Sequence, residues 1–123
     1  MIEKKHIGNF LRKGYPTKKY LQMIKDYDGN QMPIMDFVDI VCKNWNHGDI
    51  GYKLHKKHKG KRKFELHTLG WSGNEEIIQK IIKNIYLTHF LMKYYKWETG
   101  GHYYFEIRYI KLMQNCLFGQ FRC

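Results

Sequence analysis

Seven cations fall within eleven residues of this chain, Lys53, Lys56, Lys57, Lys59, Lys61, Arg62 and Lys63, with His55 and His58 among them and no acid from Ile50 to Phe64. Cations at this density suit contact with a polyanion backbone. Neutralising about six phosphates would make nucleic-acid binding fall about a thousandfold between low and moderate salt. The structural alternative is a solvated, lysine-rich turn that blunts a sheet edge and aids solubility. A second constellation is the turn Gly70-Trp71-Ser72-Gly73-Asn74-Glu75. Ser72 and Glu75 stand at capping-box spacing before Ile77, Ile78, Ile81, Ile82 and Ile85, which predicts a helix start. Such a start presents backbone N–H groups to an anion, and Trp71 beside it is placed to stack on a base. Capping alone also explains Ser72 and Glu75, with Gly73 relieving a tight turn and Trp71 in the core.

The histidines offer a third chemistry. His67 shares a strand face with Glu65, and a carboxylate beside an imidazole makes an oriented base or a metal ligand. His102 opens another strand, on which Tyr104 and Arg108 share its face. Flanked by Tyr104 and Glu106, Arg108 suits a phosphate or base contact, or a surface ion pair. The chain has no His-x-x-x-His helix motif, no Asp-rich magnesium site and no nucleophile elbow, so no metal, cofactor or catalytic residue is assigned.

Two periodicities must position these residues. Tyr20, Leu21, Ile24 and Tyr27 recur at helical spacing, as do Ile34, Phe37, Val38, Val41 and Trp45 after Pro33, predicting two helices before the basic stretch. The period then falls to two over Tyr52 to Lys56 and Arg62 to Leu69, with a polar glycine turn between them, which predicts a hairpin. From Ser72 a single long helix is expected to about Lys96, apolar around most of its later half. Thr99-Gly100-Gly101 reverses the chain into a strand from His102 to Ile110. The expected fold is α+β: a small antiparallel sheet of about three strands, packed with one long helix and preceded by two helices. Residues 1–14 form an expected basic arm, and residues 112–123 an unassigned tail.

Composition bounds the rest. The 123 residues carry 22 Lys and Arg against 11 Asp and Glu, a net charge of +11, with 43% hydrophobic and 16% aromatic residues. That is one folded domain with one core, and it excludes a disordered basic tail. A basic surface also argues against mimicry of DNA, which needs an acidic one. Three irregularly spaced cysteines specify neither a disulfide framework nor a zinc site. The N-terminus lacks a secretory pattern, and Ile77 to Tyr95 is interrupted by lysines, so a soluble cytoplasmic protein with no membrane partner is expected. Self-association through a sheet edge or helix face is a further expectation.

The segment Leu66-His67-Thr68-Leu69-Gly70-Trp71-Ser72-Gly73-Asn74-Glu75-Glu76-Ile77-Ile78, followed by Gly100-Gly101-His102-Tyr103-Tyr104-Phe105-Glu106, resembles a group of short uncharacterised bacteriophage proteins. They carry the same Gly-Trp-Ser-Gly-Asn-Glu turn and Gly-Gly-His-Tyr strand, although Leu69 stands here where the group has glycine. The resemblance implies a viral accessory protein in the host cytoplasm, made to interfere with host machinery. It marks Trp71, Ser72, Asn74, Glu75 and His102 as ligand-site candidates, with Tyr104 and Arg108 behind them. The leading expectation is a non-enzymatic anti-defence protein that binds a phosphorylated ligand such as a nucleotide signal, or blocks a nucleic-acid-dependent host defence complex. Two alternatives stand beside it: a nucleic-acid-binding regulator using the basic hairpin, and a small hydrolase or nuclease using His67, His102 and Glu65 or Glu106.

Overall fold

A computed structural model describes residues 10–12, 14–46 and 48–108 of the protein. The expected arm lies mostly outside these residues, and the expected tail and the end of the last strand lie wholly outside them. The fold is α+β, with two antiparallel sheets. A small hairpin of β1 (Leu11–Arg12) and β2 (Tyr15–Pro16) turns at Gly14, whose φ of +85° favours glycine. Helix α1 (Lys18–Asp26) follows, its first turn closed by Thr17, whose Oγ1 accepts the Tyr20 N–H at 3.1 Å. Helix α2 (Ile34–Lys43) begins after Pro33, where a missing N–H costs nothing, and has Asp36 in its first turn and Lys43 in its last. A single helical turn, α3 (Gly48–Gly51), leads into β3 (Tyr52–Leu54) and β4 (Lys61–His67).

After β4 come α4 (Ser72–Lys83), a π-helical turn (Leu87–Leu91), β5 (Met92–Glu98) and β6 (His102–Arg108). The main sheet has the order β3-β4-β6-β5, so the chain travels to the far edge and returns to place β6 beside β4. Phe64, Leu66, Met92, Tyr103, Phe105 and Ile107 line one face of this sheet. They join Tyr20, Ile24, Phe37, Val38, Val41, Ile77, Ile78 and Ile81 from the three long helices in one core. Phe105 is fully buried between Phe64 and Tyr94, and truncating a side chain so placed costs about 3–5 kcal/mol.

The structure corrects the sequence expectation between Ile77 and Lys96. The helix stops at Lys83, and the buried Asn84 is the reason: its Nδ2 donates to the carbonyls of Ile24 (2.8 Å) and Tyr27 (2.7 Å) at the end of α1. Its Oδ1 accepts the Leu87 N–H at 3.0 Å, starting the π turn. Beyond that turn Met92 and Tyr94 point inward while Lys93 and Lys96 face outward, so the aromatic run is a fourth strand rather than the second half of a helix. One extra residue, Tyr95, bulges between Tyr94 and Lys96, and pairing resumes at Lys96 opposite Tyr104. The capping box is also corrected. Trp71 occupies the N-cap without a side-chain bond, Ser72 is the first helical residue, and Glu75 bonds Thr68 instead.

Candidate functional site

Strand alternation sends a second set of residues to the other face of the sheet. Lys53 and His55 come from β3 and the residue after it, Lys61, Lys63, Glu65 and His67 from β4, His102, Tyr104, Glu106 and Arg108 from β6, and Lys93, Lys96 and Glu98 from β5. The antiparallel register of β4 and β6 sets Lys63 opposite Glu106, Glu65 opposite Tyr104 and His67 opposite His102. The lysines of this face are exposed, whereas Glu65, His67, His102 and Tyr104 partly shield one another.

A continuous hydrogen-bonded chain runs across it. Glu65 holds His55 Nε2 on Oε2 (2.5 Å) and His67 Nε2 on Oε1 (3.0 Å). His67 Nδ1 then lies 2.8 Å from His102 Nδ1, with the two rings edge to face. Burial pushes the Glu65 carboxyl up, but the bonds and charge of His55 and His67 outweigh it and hold the group below the usual carboxylate range. The Tyr104 ring stands edge-on to His67, and its hydroxyl donates to Glu98 Oε1 at 2.7 Å. That bond pushes the phenol up to about 12 and holds Glu98 low. Lys96 Nζ sits 3.2 Å from Glu98 and 5.1 Å from the Tyr104 ring centre, and Lys63 Nζ lies 5.6 Å from the ring of the bulged Tyr95. Arg108 reaches Glu106 at 3.4 Å, too long for more than a weak contact.

Internal bonds position the histidines from behind. Trp45, buried after α2, donates its Nε1–H to the His67 carbonyl at 3.1 Å. Thr68, the next residue, donates its N–H to the Gly101 carbonyl at 3.0 Å, so the turn after β4 and the turn before β6 meet. Its hydroxyl donates to Glu75 Oε2 at 2.6 Å, which ties α4 to the same junction. A Cβ on Gly101 would overlap Thr68 Oγ1, so glycine is required there by space as well as by its φ of +83°.

The seven ligand candidates separate into two groups. His102, Tyr104 and Arg108 lie in a row on the polar face of the sheet. Trp71 stacks on Tyr15 at 4.8 Å, Asn74 exchanges bonds with the Asn46 backbone at 3.0 and 3.1 Å, and Glu75 serves Thr68. Ser72 is exposed at the start of α4, two residues before the buried Asn74. Of the seven hairpin cations, Lys53, Lys61 and Lys63 join the open face and Lys56, Lys57 and Lys59 are exposed around its turn. Arg62 alternates to the opposite side and donates from Nε to the His55 carbonyl at 2.6 Å.

Sequence reasoning left His55, Lys93, Tyr95 and Lys96 out of the site. The alternation Tyr52-Lys53-Leu54-His55 was the available signal for His55, since it puts the imidazole on the Lys53 face, beside Glu65 once the hairpin closes. Among the described residues, no group of three or more His, Cys, Asp or Glu is arranged to hold a metal ion, and no helix is long and apolar enough to cross a membrane. Comparison with protein families, curated proteins and solved structures finds no match to this chain.

Proposed function

We propose that this protein binds single-stranded nucleic acid across the polar face of its four-stranded sheet, with the β3–β4 hairpin as electrostatic anchor. The observation that carries the reading is the composition of that face: Lys53, Lys61, Lys63, Lys93, Lys96 and Arg108 outnumber Glu65, Glu98 and Glu106 and share the face with Tyr95 and Tyr104, the residue types that hold a phosphate backbone and its splayed bases. A sheet face that carries exposed aromatic rings suits unstacked bases better than a duplex groove. The Trp71 turn is the weaker place for a phosphate, because Tyr15 occupies one face of the indole and Glu75 stands in the first turn of α4. In the setting implied by the resemblance to phage proteins, binding of this kind would serve to obstruct a nucleic-acid-dependent host defence complex.

Fluorescence anisotropy with short labelled oligonucleotides tests this. Single-stranded DNA or RNA of mixed sequence is expected to bind at low salt, to bind more tightly than the matching duplex, and to be released as salt rises. Absence of binding at low salt, or a preference for the duplex, would refute the proposal.

A further inference from the structure

The polar face of the sheet holds more chemistry than binding requires. We infer that Glu65, His67 and His102 form a proton relay that makes His102 a general base for RNA cleavage, with the substrate's own 2′-hydroxyl as the nucleophile. This rests on the single-strand binding proposed above and adds a reaction to it.

With both imidazoles neutral, the proton positions follow from which atoms face each other. An ionised carboxylate only accepts, so the proton of the 3.0 Å contact between Glu65 and His67 belongs to His67 Nε2. His67 Nδ1 is then an acceptor in the neutral ring, and the proton of the 2.8 Å contact belongs to His102 Nδ1. His102 Nε2 is left with a lone pair. When that nitrogen takes up a proton, the Nδ1 proton can cross to His67, and the positive charge comes to rest beside Glu65. It is the logic of a carboxylate supporting one histidine, lengthened by a second ring. His55 occupies the other oxygen of Glu65 and fixes the carboxylate in place. A Cβ on Gly100 would lie 3.2 Å from His102 Nε2, so any other residue there would crowd that nitrogen. The other charged or titratable groups facing the pair are Tyr104 on β6 and Glu98 and Lys96 on β5.

A base needs a nucleophile. The hydroxyls next to the pair, on Thr68 and Tyr104, donate instead to Glu75 and Glu98. RNA brings its own. His102 Nε2 takes the 2′-hydroxyl proton, the 2′-oxygen bonds to phosphorus, the bond from phosphorus to the 5′-oxygen breaks, and that oxygen leaves with a proton from water. The products are a 2′,3′-cyclic phosphate and a 5′-hydroxyl, and no oxidant, reductant or second substrate is consumed. Lys96, exposed on the same face opposite Tyr104, is the described lysine placed to neutralise charge on the phosphate. His102 is the catalytic residue here, and His67 and Glu65 position it.

The test uses the full chain, a mixed-sequence single-stranded RNA and its all-2′-deoxy counterpart, with chelator present throughout. Wild type, His102→Asn and Glu65→Gln are purified identically, and their folding is compared by circular dichroism. Wild type should cut the RNA to fragments ending in 2′,3′-cyclic phosphate, identified by mass spectrometry, and leave the DNA intact. At saturating RNA, His102→Asn should be slower by about a hundredfold or more. Glu65→Gln should also be slower, and the acid limb of its rate–pH profile should move to lower pH because the protonated pair has lost its carboxylate. A purely structural role for Glu65 would leave that limb in place. Binding without cleavage, or equal cleavage by His102→Asn, overturns the relay and leaves the binding proposal standing. Failure to bind either oligonucleotide removes both.

Discussion

Replacing Gly101 with alanine tests the junction that holds the two central histidines together. Gly101 has a φ of +83°, and an alanine held in the left-handed region loses about 1–2 kcal/mol. The added methyl would also overlap the hydroxyl of Thr68, which is fully buried and bonded to Glu75 at 2.6 Å. Thr68 must turn away, leaving buried polar atoms unpaired at a cost of about 1–3 kcal/mol. The expected loss is therefore about 2–5 kcal/mol. Gly60→Ala is the reference. Its φ is +78°, but nothing lies within 4 Å of the position a Cβ would take, so only the backbone cost applies. Urea unfolding of both variants separates the two costs, and with a slope of about 1–3 kcal/mol per molar the Gly101→Ala midpoint should fall by about 0.7 M or more. If the two variants agree within about 0.5 kcal/mol, the turns do not pack as described. His67 directly precedes Thr68 and His102 directly follows Gly101, so the same result would undo the imidazole pair.

Three further outcomes are expected. Reversing Lys59, Lys61 and Lys63 to glutamate should weaken single-strand binding and reduce the slope of log K against log salt by about 2, measured by anisotropy titrations; an unchanged slope would remove the hairpin from the interface. Because Glu65 is held below its ordinary range when folded, it stabilises the protein above the unfolded glutamate value, and that contribution is lost as pH falls toward the lowered folded value. The stability gap between wild type and Glu65→Gln should accordingly close below about pH 4, and a gap that widens there would contradict the network. Asn84→Ala strands two buried carbonyls and one N–H and should cost about 3 kcal/mol or more in thermal or urea unfolding, whereas an ordinary helix-end residue would cost under half of that.

The elements set by local chemistry were legible in the sequence. Thr17 before α1, Pro33 before α2 and the glycine turn between β3 and β4 act within a few residues of themselves, and their helices and strands stand where spacing places them. The faces of β4 and β6 were legible too, since alternation alone puts Glu65 with His67 and His102 with Tyr104. What spacing does not carry is register. His67 and His102 are 35 residues apart, and they touch because β6 returns beside β4 with both histidines at the same end. The fourth strand was hidden for a related reason. Asn84 ends its helix through carbonyls 57 and 60 residues away, a partnership that no local pattern announces, and the aromatic run beyond it has apolar residues enough for either period. Trp71, made conspicuous by its turn, has a partner that the turn does not announce: its indole stacks on Tyr15 of the first hairpin.

The bulge in β5 has a bearing on how such a face can change. Removing Tyr95 from the ladder would leave every other pair in place, Tyr94 with Phe105 and Lys96 with Tyr104, because the strand is regular on both sides of it. A single inserted codon is thus absorbed locally and adds an aromatic ring, within reach of Lys63, without reversing the side chains that follow. Ordinary substitution must trade one side chain for another. Insertion at a bulge adds one to the surface while the core beneath keeps its packing, so the contact chemistry of this sheet is open to diversification one residue at a time.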